Sequence, residues 1–219
     1  MATMSEIREF ANSLKSDRLI RIKIGTNEND EPFLISQRRL GSASKYFRKA
    51  LRQDSFQEGR TGQIDFPEDD YNAWAVLAFW MMNTFNIARK EFKPDLLIKC
   101  WVLGDKYEIS EFQDQITLEL LFYFERHYAT EDIIKLCSEL SPTGSVLKRL
   151  IAEEAAVALR NEKMDFEGLE AAFNGNGMLR YFVFARDNCE ADNDFYSRRF
   201  DSLAAEDLYT QDEEENGKW

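Results

Sequence analysis

The sequence predicts an α+β protein, predominantly helical, with a short three-stranded sheet flanked by helical hairpins and a helical extension behind it. Three observations carry this expectation. Only four Pro and ten Gly punctuate 219 residues, too few for the turn-rich texture of an all-β fold. The stretch from Leu19 to Gly25 alternates Ile20, Ile22 and Ile24 against Arg21 and Lys23, a period of two that puts one face on a core and the other in water. Beyond Asp70 the apolar residues instead recur three and four apart, the period of a helix.

The elements follow in order. Ile7, Phe10 and Leu14 stand at i, i+3 and i+7, one apolar stripe on a short helix. The strand at 19–25 is followed by the polar turn residues of GTNEND, and after Pro32 the run Phe33, Leu34, Ile35 resumes the apolar pattern as the return strand of a hairpin. Ser36 is placed to cap a helix starting at Gln37; Gly41-Ser42 is expected to interrupt it before Ser44 caps a second one running through Arg52. Ile64-Asp65-Phe66 reads as a third strand stopped by Pro67. Glu68, Asp69 and Asp70 then offset the amino-terminal dipole of a helix over 70–84. Nearly the whole circumference of that helix is apolar, so it is expected to lie between other elements.

A helix over 95–107 and another opened by the capping box Ser110-Glu111-Phe112-Gln113 and ending near His127 form a helical hairpin. Further helices are expected at 131–140, 145–160, 165–173 and 177–187, separated by Ser141-Pro142 and by Gly175-Asn176-Gly177. From Asn188 the periodicity is lost. The domain plan is therefore an amphipathic helix at 1–16, a sheet-containing domain at 17–127, a helical extension at 128–187 and an acidic, mobile tail at 188–219.

Composition narrows the function. The net charge is −12, and residues 187–219 concentrate it, with eleven acids against three bases; phosphate polyanions would be repelled, which argues against nucleic acid as a partner. The start MATMSEIREF lacks the basic and apolar regions of a signal peptide, and no apolar run nears the ~20 residues that cross a bilayer, so no membrane partner is expected and the compartment is cytoplasm or nucleus. Cys100, Cys137 and Cys189 are odd in number and far apart, which suits free thiols. Between Pro32 and Gln53 six bases (Arg38, Arg39, Lys45, Arg48, Lys49, Arg52) occur without an acid: a solvated helix face, or a patch for an acidic partner or the chain's own tail.

The residues between Asp17 and His127 resemble a BTB/POZ domain, fungal-type members above all. The resemblance rests on Asp17-Arg18-Leu19-Ile20 with Gly25, on Phe33-Leu34-Ile35, on Ser44-Lys45-Tyr46-Phe47-Arg48-Lys49-Ala50-Leu51, on Phe56-Gln57-Glu58, on Ile64-Asp65-Phe66-Pro67-Glu68-Asp69, and on Leu103-Gly104-Asp105-Lys106-Tyr107-Glu108-Ile109. It covers about half the chain, and the helices beyond Thr130 look like the extension many fungal members carry. Three positions depart from the family: Ser36-Gln37 replaces its histidine and basic residue, Asn83-Thr84-Phe85-Asn86 replaces its Tyr-Thr-Gly turn, and Phe92-Lys93-Pro94 replaces the hydrophobic-x-acid signature of cullin-binding members.

The resemblance implies a protein–protein interaction module without chemistry of its own, a scaffold or adaptor that forms a homodimer through Ile7, Phe10 and Leu14. Its alternative is a substrate adaptor for a cullin-type ubiquitin ligase, with Phe92 and Tyr107 facing the cullin; Tyr107 also reads as a half-buried side chain closing a helix end. A small enzyme using acidic residues is the remaining class. Against it, the only histidine, His127, sits at a helix end where its charge complements the dipole, with no nucleophile nearby in sequence. No phosphate-binding glycine loop is present, Glu68-Asp69-Asp70 reads as capping, and Glu190, Asp192 and Asp194 lack the glycine and closing glutamate of a calcium loop. No catalytic, cofactor or metal site is expected.

Overall fold

The computed structural model describes residues 17–26, 31–52, 56–82, 92–173 and 175–191, together with Thr3, Met4 and Arg8. The chain divides into two compact units, residues 1–91 with 99–116, and residues 92–98 with 117–219.

In the first unit, strands β1 (Leu19–Ile24), β2 (Phe33–Ser36) and β3 (Gln63–Phe66) form a mixed sheet of order β2-β1-β3. β2 pairs antiparallel with β1, setting Ile20 opposite Ile35, and β3 pairs parallel with it, setting Ile22 opposite Ile64. All four isoleucines are buried, as the period of two requires, while Leu19, Arg21 and Leu34 point outward. The hairpin and the alternation thus stand where the sequence places them. Between β2 and β3 lie α1 (Gln37–Ala43), α2 (Lys45–Ala50) and α3 (Gln57–Thr61).

Ser36 and Ser44 cap as expected, their hydroxyl oxygens accepting from the Arg39 and Phe47 N–H groups. Gly41-Ser42, however, does not interrupt α1. A β-carbon on Gly41 would meet the Arg48 backbone at 3.8 Å, and the Arg48 Nε donates to the Gly41 carbonyl at 2.8 Å, so tertiary packing against α2 overrides the weak helix propensity of glycine. The short helix α3 has no counterpart in the sequence reading. It fits only because Gly59 carries no side chain, since a β-carbon there would lie 2.0 Å from the Arg52 carbonyl oxygen. Arg18 spans its end, donating to the Gly59 and Arg60 carbonyls at 2.6 and 2.9 Å.

Helix α4 (Tyr71–Met82) starts after Asp70, whose carboxylate accepts from the Ala73 N–H at 3.0 Å. Residues 83 and 84 of the expected helix lie outside the described residues. Next come α5 (Pro94–Lys106) and α6 (Ser110–Phe124). The latter begins at Ser110 itself and stops three residues short of His127, and the Gln113 amide donates to Asp105 at 3.3 Å, a tie to α5. The aromatic core of the unit gathers Phe47, Phe66, Trp74 and Tyr107 with ring centroids 5.0–6.3 Å apart, and Trp80 packs on Phe112 at 5.2 Å.

The second unit is helical among its described residues: α7 (Glu131–Leu140), α8 (Val146–Arg160), α9 (Phe166–Phe173) and α10 (Leu179–Ala191). Thr130 and Ser145 cap α7 and α8 by accepting from the Ile133 and Lys148 N–H groups. α8 packs on α7 and α10, and α9 packs on α7. Asn176 ties the α9–α10 turn down, its amide donating to Ser138 Oγ at 2.7 Å and to the Ala172 carbonyl at 2.8 Å. The last helix continues to Ala191, past the boundary expected at 187. Residues 192–219, expected to be mobile, lie outside the described residues. No helix among the described residues is long and apolar enough to cross a membrane.

Candidate protein-binding surfaces

The three consecutive acids after β3 do different work. Asp69, with a side chain only 5% exposed, takes three donors: Trp74 Nε1 at 2.7 Å, the Tyr107 hydroxyl at 2.5 Å and Lys106 Nζ at 2.6 Å. Asp70 caps α4 and pairs with Lys99 at 2.8 Å. The capping expected of the acids therefore belongs to Asp70, while Asp69 is the hub that fastens α5 to the start of α4. Nothing in the spacing of Asp69, Trp74 and Tyr107 announces that convergence, because it depends on a helix some thirty residues further along the chain.

Tyr107 is 1% exposed. Burial first, then the hydrogen bond and charge of the Asp69 carboxylate, push the phenol well above its ordinary pKa. Its ring stacks on Phe47 at 5.1 Å, and its carbonyl accepts from the Ser44 hydroxyl at 2.5 Å. Tyr107 is thus a core residue and not half-buried, because Asp69 supplies inside the unit the polar partner that a tyrosine otherwise seeks in water. Phe92, the other residue expected to face a cullin, is half-buried ahead of α5 and belongs to the second unit.

The basic residues do share a surface region. Arg38, Lys45, Arg48, Lys49 and Arg52 are exposed on α1, α2 and the turn after it. Arg39 is the exception, half-buried with its guanidinium donating to the Met81 carbonyl, so it ties α1 to the end of α4.

Helix α4 carries a group of large apolar side chains left exposed in this unit. Its inner face, Trp74, Leu77, Trp80 and Met81, is fully buried, but Tyr71, Phe79 and Met82 on the outer face are 47%, 40% and 60% exposed. The helix expected to lie between other elements is thus covered on its inner face and left exposed at Tyr71, Phe79 and Met82. Tyr71 lies 5.2 Å from the ring of Phe33, which extends the apolar surface to β2. Ile7, Phe10 and Leu14, expected to carry self-association, lie outside the described residues.

In the second unit a cleft of about 630 Å³ opens between α9 and α10. Leu169, Phe173 and Phe182 form its buried floor, with Phe173 and Phe182 edge to face at 5.4 Å. Phe166, Leu179 and Val183 stand exposed at its rim, and Glu170 and Arg186 supply its charge. The sequence contained the signal, since 166, 169, 170, 173 and 179, 182, 183, 186 are two stripes at helical spacing; what periodicity alone cannot tell is that the two stripes meet and stay uncovered.

The remaining candidates have structural partners. His127 stacks on Tyr123 at 4.3 Å, and its Nδ1 lies 3.0 Å from the Tyr123 carbonyl oxygen just past the end of α6. Cys100 and Cys137 are free thiols and buried; burial pushes Cys137 up to about 11 and Cys100 higher still. Among the described residues no three His, Cys, Asp or Glu side chains are grouped as they would be around a metal ion. No protein-family model matches the sequence, and no curated protein matches it either.

Proposed function

We propose that the chain is a non-enzymatic protein–protein interaction module of the BTB/POZ type that self-associates and acts in the cytoplasm or nucleus. The observation that carries the reading is the outer face of α4, where the large side chains of Tyr71, Phe79 and Met82 are exposed although Trp74, Leu77, Trp80 and Met81 on the inner face are fully buried. The order of elements also supports it: a strand hairpin, short helices, a third strand beside the first, then a pair of longer helices is the order of that family. In the proposed mechanism two copies bury this face together with the stripe of Ile7, Phe10 and Leu14. A standard interface removes about 800 Å² per partner from water, and each fully buried large apolar side chain contributes roughly 1.5–3 kcal/mol.

Light scattering after gel filtration tests it. The chain is expected to run at about twice its 25.6 kDa mass, and Phe79→Asp and Phe10→Asp are each expected to shift it toward monomer by at least tenfold in dissociation constant. A wild-type chain that stays monomeric at tens of micromolar removes the proposal.

A further inference from the structure

We propose that the cleft between α9 and α10 is the seat of the chain's own residues 200–208, folded back from the end of α10. This goes beyond self-association and uses a different surface. The floor of Leu169, Phe173 and Phe182 beneath the open rim of Phe166, Leu179 and Val183 has the form that accepts the apolar side of an amphipathic segment. After Ala191, Phe200, Leu203, Ala204 and Leu208 fall at i, i+3, i+4 and i+8, a matching spacing.

Continuity favours this occupant over a foreign one. α10 is itself one wall of the cleft, and the chain leaves it at Ala191, so the segment is presented at an effective concentration in the millimolar range that a separate partner must outcompete. Reach is sufficient. From Leu179 to Ala191 the helix is roughly 18 Å long at ~1.5 Å per residue, and residues 192–199 span up to about 26 Å when extended. Charge agrees too: Arg198 and Arg199 precede the apolar set and Glu206 and Asp207 fall within its far end, while the cleft offers Glu170 on one wall and Arg186 on the other.

Trypsin cleavage after Arg198 and Arg199 reads the docking directly in the full chain, with the released carboxy-terminal fragment followed by mass. Cleavage there is expected to be at least tenfold slower than in a synthetic peptide of residues 192–219. Val183→Asp and Phe166→Asp, both at exposed positions, and Leu203→Asp in the segment itself are expected to bring the rate within about twofold of the peptide, whereas Phe56→Asp, exposed in the first unit, leaves the protection intact. Cleavage as fast as in the peptide, or protection indifferent to the cleft and segment substitutions, overturns the proposal. Protection that disappears on tenfold dilution overturns it as well, since the occupant would then be the tail of a second copy.

Discussion

Asp69 shows how much one nearly buried side chain can organise. Three donors converge on it, from an indole, a phenol and an ammonium, and a buried carboxylate is tolerated only when its oxygens are satisfied in this way. Tyr107→Phe removes one donor and keeps the ring, so it is expected to destabilise the protein by about 2 kcal/mol in urea unfolding, the scale of a hydrogen bond to a charged group. Asp70 differs. Burial alone would raise its pKa, but the hydrogen bond and charge of Lys99 with the N–H groups of Ala73 and Asn72 outweigh that and hold the carboxyl below the ordinary value. A group whose folded pKa is depressed contributes stability that is present above its unfolded pKa, about 3.9, and lost as pH falls through the folded value. Stability measured from pH 7 to pH 2 is therefore expected to drop below about pH 4, and Asp70→Asn should flatten that limb. Asp70 was legible as a cap from its place before an apolar helix. Asp69 was not, because two of its three donors, Lys106 and Tyr107, stand at and just past the end of α5, and no local pattern registers a contact made across that much chain.

At the level of elements, a segment was readable where its own residues decide its state. The alternation of β1, the caps Ser36 and Ser44, and the breaks at Pro142 and Gly175–Gly177 act locally and stand where expected. Helix α1 runs through Gly41 because Arg48 packs against it, and α3 fits beside the Arg52 carbonyl only because Gly59 has no side chain. The outer face of α4 was misjudged for a related reason: an apolar circumference shows what a helix could bury, and only its surroundings determine how much it does bury. Ser44 combines both levels, accepting locally from Phe47 and donating to Tyr107 far along the chain. Ser44→Ala loses both bonds in a buried setting and is expected to cost about 2–3 kcal/mol in thermal or urea unfolding, more than the ~1 kcal/mol of an ordinary cap.

For the whole molecule, the two units divide α5 and α6 between them, with residues 92–98 and 117–124 on one side and 99–116 on the other. Helix formation is cooperative along its length, so melting one unit removes turns from elements the other needs. Cys100 in the first unit and Cys137 in the second are buried thiols, pushed by burial to pKa values at which almost no thiolate exists at pH 8. In a Cys189→Ser background, neither is expected to react with a disulfide reagent in the native state, and both should become reactive at the same denaturant concentration. Midpoints separated by more than about 0.5 M urea would mean that the units unfold independently. The broad class, mostly helix with one small sheet, was written in composition and period; the division of α5 and α6 between two units was not, since periodicity records which face of a helix is apolar and not which body it joins.

The position of β1 between its two partners has a consequence for the order of events during folding. β2 returns to β1 across residues 25–32, a closure that hairpins complete in about 1–10 μs. β3 comes back only across residues 25–62, after α1, α2 and α3 have been laid down, and it must arrive parallel. Contacts between residues so distant in sequence slow folding, so seating Ile64 against Ile22 is expected to be the slow step, and Ile64→Val is expected to lower the refolding rate of this unit in stopped-flow measurements.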